Sequence, residues 1–200
     1  MNKFDKVISC FKKNYKPIPL EIFGKEPYKT LVSTLLSSRT KDEVTLEASN
    51  RLFRKAPDIY GLNKLKKEYL QKLIYPVGFY RTKAKHLEIL AKTIVTKYNG
   101  KIPNYREGLI TLPGVGRKTA NLVLNRAYAI PAIAVDTHVH KISNLLGWVK
   151  TDTPEQTEKE LIKIVPKKYW SIINRLFVSI GRQYTSDNKL KNFLKKENLI

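Results

Sequence analysis

The chain has 200 residues, 42% of them hydrophobic, which is enough to bury a core as one domain or two small ones and excludes an intrinsically disordered protein. Lysine and arginine total 38 against 17 aspartates and glutamates, a net charge of +21 with a pI near 10.0, so the surface attracts polyanions and steers association with them. No apolar run approaches the roughly 18 residues of a membrane span, and a single cysteine, Cys10, excludes an internal disulfide or a cysteine-ligated metal cluster.

Phe4, Val7, Ile8 and Phe11 recur at i, i+3, i+4 and i+7, which predicts an amphipathic helix over residues 1–15 rather than a signal peptide. Asp5 and the absence of arginine there argue against a transit peptide. Lys16-Pro17-Ile18-Pro19 reads as a linker. Pro27 opens a helix over residues 27–37 with Leu31, Leu35 and Leu36 facing inward. Thr40 reads as the cap of a helix over 41–55, where Val44, Ala48 and Leu52 form a stripe. After a turn at Pro57, residues 64–75 read as a helix that Pro76-Val77-Gly78-Phe79-Tyr80 breaks. A longer amphipathic helix over 82–98 closes at Asn99-Gly100.

Residues 105–111, with Asn104 as N-cap, and residues 118–127 read as two short helices around a turn. The apolar run Ala132-Ile133-Ala134-Val135 could be a strand, although it is short and has no partner. Asp136 reads as the N-cap of a helix ending at Gly147, and Thr153-Pro154-Glu155-Gln156 is a capping-box signal for a helix ending before Pro166. A further helix over 168–184 carries Trp170, Leu176, Phe177 and Ile180, and the lysine-rich tail forms a weaker one with Leu190, Phe193 and Leu194. There is no internal repeat. The pattern predicts an all-α fold of about ten helices, without fixing its topology.

The turn between the two short helices, Leu112-Pro113-Gly114-Val115-Gly116-Arg117-Lys118-Thr119-Ala120, is where chemistry concentrates. Pro113 stops the first helix, and the two glycines supply backbone freedom and remove bulk. A bare hairpin feeding a helix N-terminus leaves unpaired N–H groups pointing outward, an anion site for which phosphate is the natural occupant. The alternative is a plain glycine turn between helices. Lys118, in the first turn beside Arg117, is a candidate amine nucleophile for Schiff-base chemistry or simply a phosphate contact. Asp136 could stabilise a cationic sugar or serve only as a cap. His138 and His140 are two apart and face different ways, so a metal site there is not expected. Phe79 and Tyr80 sit on a bend where aromatic rings could wedge into a base stack, or the Tyr80 ring could pack on a neighbouring helix.

Together these blocks resemble the endonuclease III family. The hairpin through Asn121, followed by Val135-Asp136-Thr137-His138-Val139, is similar to its active-site pair, and Leu35-Leu36-Ser37-Ser38-Arg39-Thr40-Lys41-Asp42 and Gly78-Phe79-Tyr80 through Lys83-Ala84 resemble its two DNA-wedging loops. The resemblance implies a helix-hairpin-helix glycosylase fold of two all-α domains: a six-helix domain over 21–129, and a second built from 1–20 and 130–200, with Lys118 and Asp136 on opposite walls of the cleft between them. It implies a base excision repair glycosylase with abasic-site lyase activity on oxidised pyrimidines in duplex DNA, which flips the damaged nucleotide out of the helix. Lys118 and Asp136 would be catalytic. Leu112, Pro113, Gly114, Val115, Gly116, Arg117, Thr119, Arg39, Phe79, Tyr80, Lys83 and His138 would contact DNA. A monovalent cation could sit on the hairpin carbonyls.

Two departures from the family pattern stand out. The family usually ends in four cysteines holding an iron–sulfur cluster after a Gly-Arg-Tyr segment. Here Gly181-Arg182-Gln183-Tyr184-Thr185-Ser186 leads into a tail without cysteine, so no cluster is expected. The first wedge loop carries Arg39 where the family more often has glutamine. The remaining alternatives are a mismatch-specific glycosylase of the same superfamily, whose members typically carry serine or tyrosine at the position of Lys118, and a non-catalytic helix-hairpin-helix module that only binds DNA. A monomer is expected, in the cytoplasm of a prokaryote or the nucleus of a eukaryote.

Overall fold

The computed structural model describes residues 2–200; Met1, the first residue of the expected N-terminal helix, lies outside the described residues. Twelve α-helices are present among the described residues, and no strand. They are α1 (Lys3–Lys13), α2 (Pro27–Ser37), α3 (Asp42–Lys55), α4 (Ile59–Asn63), α5 (Lys67–Ile74), α6 (Tyr80–Lys97), α7 (Arg106–Ile110), α8 (Arg117–Tyr128), α9 (Thr137–Leu145), α10 (Pro154–Ile164), α11 (Trp170–Gln183) and α12 (Asp187–Lys196). Short 3₁₀ turns occupy Pro19–Phe23 and Lys167–Tyr169. The chain forms two compact units, residues 19–130 and residues 1–18 with 131–200.

The unit of residues 19–130 holds α2 to α8, seven helices where the resemblance implied six. Its core is aliphatic, with Leu31, Leu36, Leu52, Leu62, Leu70, Ile74, Leu87, Leu90, Ile94 and Leu109 all sealed from solvent. Helix α2 is buried nearly all round, with every residue from Thr30 to Leu36 sealed off and its small Thr and Ser side chains packed beside the leucines. The extra helix is α4. It lies between the turn at Pro57 and the helix expected over 64–75, and Asp58 caps it by accepting the Gly61 N–H at 2.7 Å. Helix α6 ends in two left-handed residues, Asn99 and Gly100, and the Gly100 N–H returns to the Ile94 carbonyl at 3.0 Å.

The second unit packs α1 and α9 to α12 around Phe11, Ile133, Val139, Ile142, Leu161, Ile173, Phe177, Ile180 and Leu194. Helix α1 is held by Asn2, which accepts the Asp5 N–H at 2.8 Å, and its apolar stripe meets Phe177 and Trp148 edge-on. The capping box at Thr153 and Gln156 forms as the sequence predicts. The segment Ala132 to Val135 is fully buried but makes no ladder; the Asn174 amide donates to the Ala134 carbonyl at 3.1 Å instead. Its apolar character therefore reflects burial among helices, not pairing in a sheet.

Candidate active site

Within residues 19–130, the turn from Thr111 to Gly116 joins α7 to α8. The first helix is shorter than its sequence pattern, and Asn104 does not cap it: the N-cap is Tyr105, without a side-chain bond. Leu112 and Val115 point into the core, and the Val115 N–H closes the turn on the Leu112 carbonyl at 3.1 Å. Their side chains therefore anchor the hairpin from beneath, so the contact expected of both with DNA falls to their main chain.

Gly114 has φ +77°, and a Cβ there would come within 2.7 Å of His86 Nδ1, so backbone conformation and packing both demand glycine. Gly116 is different. Its φ of −91° is open to any residue, and a Cβ would meet nothing within 4 Å. What glycine provides there is bare surface in front of α8. No side chain caps that helix; the Gly116 carbonyl takes the Ala120 N–H at 3.0 Å, which leaves the N–H groups of Arg117, Lys118 and Thr119 outside the helical ladder. Lys118 is exposed in this first turn, and its amine makes no hydrogen bond or ion pair among the described residues.

Two loops of the same unit carry the expected wedge residues. Arg39 (φ +51°) and Phe79 (φ +56°) are both non-glycine residues in the left-handed region, a conformation costing of order 1 kcal/mol or more each. Phe79 is 61% exposed, and the Arg39 guanidinium lies 5.5 Å from its ring centroid. An exposed phenylalanine on left-handed backbone is unfavourable twice over. Tyr80 is only half-buried; it stands edge-on to Tyr75 at 5.4 Å and packs against the core. Ser38, Arg39, Phe79, His86 and Gly114 line one cavity of about 340 Å³, so both loops and the hairpin share a surface.

Lys83 is a correction. Expected to contact DNA, it is buried, and its ammonium donates to the Leu36 carbonyl at 2.8 Å, to the Ser38 carbonyl and to Thr40 Oγ1 at 3.2 Å. All three of its donors are spent inside the protein. Burial pushes its pKa down to about 8. Thr40 likewise does not cap α3, whose N-cap is Lys41. Neither role is visible in the sequence, because the partners lie about 40 residues apart.

In the second unit, Asp136 caps α9: its Oδ1 accepts the Val139 N–H at 2.9 Å. That bond fixes the carboxylate and leaves its other oxygen available. His138 and His140 do diverge. His138 lies over Gly181, where a Cβ would approach its Nδ1 to 2.1 Å, while His140 Nδ1 meets Thr157 Oγ1 at 2.6 Å. His138 borders a cavity of about 510 Å³ with Lys141, Arg182, Tyr184 and Leu190. Among the described residues no cluster of three or more His, Cys, Asp or Glu could hold a metal ion, and no helix is long and apolar enough to cross a membrane.

Residues 32–167 match the family model described as HhH-GPD superfamily base excision DNA repair protein. The chain is 46% identical over 177 residues to endonuclease III of Thermotoga maritima, covering 88% of this chain and 80% of that one. A non-covalent endonuclease III–DNA complex superposes with a TM-score of 0.81 at 34% identity, covering 94% of this chain and 89% of that one. A trapped endonuclease III–DNA covalent intermediate does so with a TM-score of 0.79 at 33% identity, covering 93% and 89%. The all-helical fold and the bare hairpin thus define a helix-hairpin-helix DNA repair glycosylase. Within that class, the chain belongs to the endonuclease III family.

Proposed function

We propose that this chain excises oxidised pyrimidines from duplex DNA and then cleaves the strand at the resulting abasic site. The observation that carries the reading is Lys118: an exposed, unpartnered amine in the first turn of an uncapped helix, directly behind a turn with no side chain in front of it. The N–H groups of the first turn of α8, which lie outside the helical ladder, suit a phosphate, which brings the deoxyribose backbone to that amine. Pro113, Gly114, Gly116, Arg117 and Thr119 border this phosphate site. Arg39 and Phe79 enter the stack where the damaged base leaves it, with Tyr80 supporting the loop, and His138 contacts the backbone near Asp136.

The chemistry follows from the groups present. The Lys118 amine forms a bond to the anomeric carbon as the glycosidic bond breaks; the base leaves with the bonding electrons and takes up a proton. Positive charge develops on the sugar, and the Asp136 carboxylate, fixed by the Val139 N–H, stabilises it and accepts the lysine proton. The sugar ring opens to an imine. The imine acidifies the adjacent C2′ proton, and its loss expels the 3′ phosphate, breaking the strand on that side.

A four-thiolate cluster does not fit this chain, which offers only Cys10. The turn from Thr111 to Gly116 contains no carboxylate, so a monovalent cation there would rest on main-chain carbonyls. The protein acts as a monomer, in the compartment that holds the DNA: cytoplasm in a prokaryote, nucleus in a eukaryote.

Borohydride trapping tests the reading. Wild-type protein should cross-link covalently to a duplex carrying an oxidised pyrimidine. Lys118→Gln should lose cross-linking and nicking yet still bind. Asp136→Asn, which can still accept the Val139 N–H, should bind normally and turn over slowly. Undiminished cross-linking by Lys118→Gln would assign the nucleophile to another amine.

A further inference from the structure

Three ties join the loop that carries Arg39 to the loop that carries Phe79. The first is a close approach: a Cβ on Gly78 would fall 2.5 Å from the Arg39 carbonyl oxygen, a distance only glycine allows. The second is the Thr40 hydroxyl, which accepts the Gly78 N–H at 3.1 Å and the Lys83 ammonium at 3.2 Å while donating to the Ser38 carbonyl at 3.2 Å. One donor and two acceptor sites exhaust what a hydroxyl can do. The third is Lys83, whose ammonium spans the Leu36 and Ser38 carbonyls as well. Those carbonyls lie at the C-terminal end of α2, where carbonyls lack helical partners and a cation is favoured.

Arg39 lies between two of the tied residues, Ser38 and Thr40, and Phe79 directly follows a third, Gly78. Both exposed side chains sit on left-handed backbone that relaxes unless its neighbours hold it. We propose that Thr40 and Lys83 are positioning residues: by locking the two loops into one body they hold Arg39 and Phe79 in place to open paired DNA. Neither touches DNA. The pair is required to extract a base from a duplex, and it is not required once the base is gone, because an abasic site leaves nothing to extrude. This assignment rests on the glycosylase reading above.

Thr40→Val keeps the shape of the side chain and removes the hydroxyl; Thr40→Ser restores it. Excision of an oxidised pyrimidine from a paired duplex should fall about ten- to a hundredfold in Thr40→Val, as expected when a positioned group drifts out of place. Cleavage at a preformed abasic site should stay at the wild-type rate, and Thr40→Ser should match wild type on both substrates. Adding Thr40→Val to an Arg39→Ala/Phe79→Ala double variant should slow duplex excision no further, since the hydroxyl acts through those two side chains. Lys83→Met should behave like Thr40→Val; should it fail to fold, the threonine pair decides. Equal losses on both substrates, or no loss in Thr40→Val, would overturn the proposal while the glycosylase reading stands. Wild-type protein inactive on both substrates would remove that reading, and this proposal with it.

Discussion

The rings of Tyr184 and Phe193 are stacked, with centroids 4.3 Å apart and planes 17° from parallel. Tyr184 ends α11, at the point where the family pattern runs on into its cluster cysteines. Phe193 belongs to α12, which Ser186 caps by accepting the Lys189 N–H and which buries Leu190, Phe193 and Leu194. Hydrophobic burial thus closes the end of this unit. Phe193→Ala should destabilise the protein by about 3–5 kcal/mol, the usual cost of deleting a buried ring. Urea denaturation would show it; a change below about 1 kcal/mol would mean that α12 adds little to the core.

Iron should play no part in the folded protein. Cys10 is half-buried, and its thiol donates to Glu197 at 3.4 Å. Burial first, then the Glu197 hydrogen bond and charge, push its pKa up to about 11. The raised value keeps the group protonated at neutral pH, whereas an ordinary thiol with a pKa of about 8.5 is roughly one-quarter thiolate at pH 8. Purified protein should therefore be colourless, and native Cys10 should alkylate far more slowly at pH 8 than after denaturation. Stoichiometric iron and sulfide, or equal alkylation rates, would contradict this.

Phe79 can be separated from the catalytic amine by choice of substrate. Phe79→Ala should slow base excision from a paired duplex more than strand cleavage at a preformed abasic site. The ring is 61% exposed, so its removal should barely change the melting temperature. Equal loss on both substrates would point to a folding role.

Salt should weaken DNA binding steeply. If the hairpin and the +21 net charge neutralise six or more phosphates, affinity should fall about a thousandfold or more between roughly 50 and 200 mM salt. Arg39→Ala should reduce the slope by about one if its guanidinium meets a phosphate, and leave it unchanged if it meets a base edge. A flat dependence of log affinity on log salt would count against a DNA partner.

Local chemical rules made some features readable from residues alone. Pro27 at the start of α2, Asp136 before α9 and Thr153 before α10 each announce a helix by their own side chain, and each is found where expected. Helix α4 was not readable, because its five residues, Ile59–Asn63, are too few to show a helical period. Buried Lys83 and Thr40 were not readable either. A lysine on a basic chain reads as surface charge, and a threonine before a helix reads as its cap. What reassigns them is a set of carbonyls and an N–H about 40 residues away, which only the folded chain brings near.

The interrupted path of the chain has a consequence for its synthesis. Residues 19–130 are contiguous, so the ribosome can release that unit with every partner for its core already made. Helix α1 emerges ahead of that unit yet finds Trp148, Phe177 and Phe193 only when residues 131–200 have followed. Throughout that interval Phe4, Val7, Ile8 and Phe11 have no native partners to cover them. Assembly thus follows a fixed order: residues 19–130 first, then α1 together with residues 131–200.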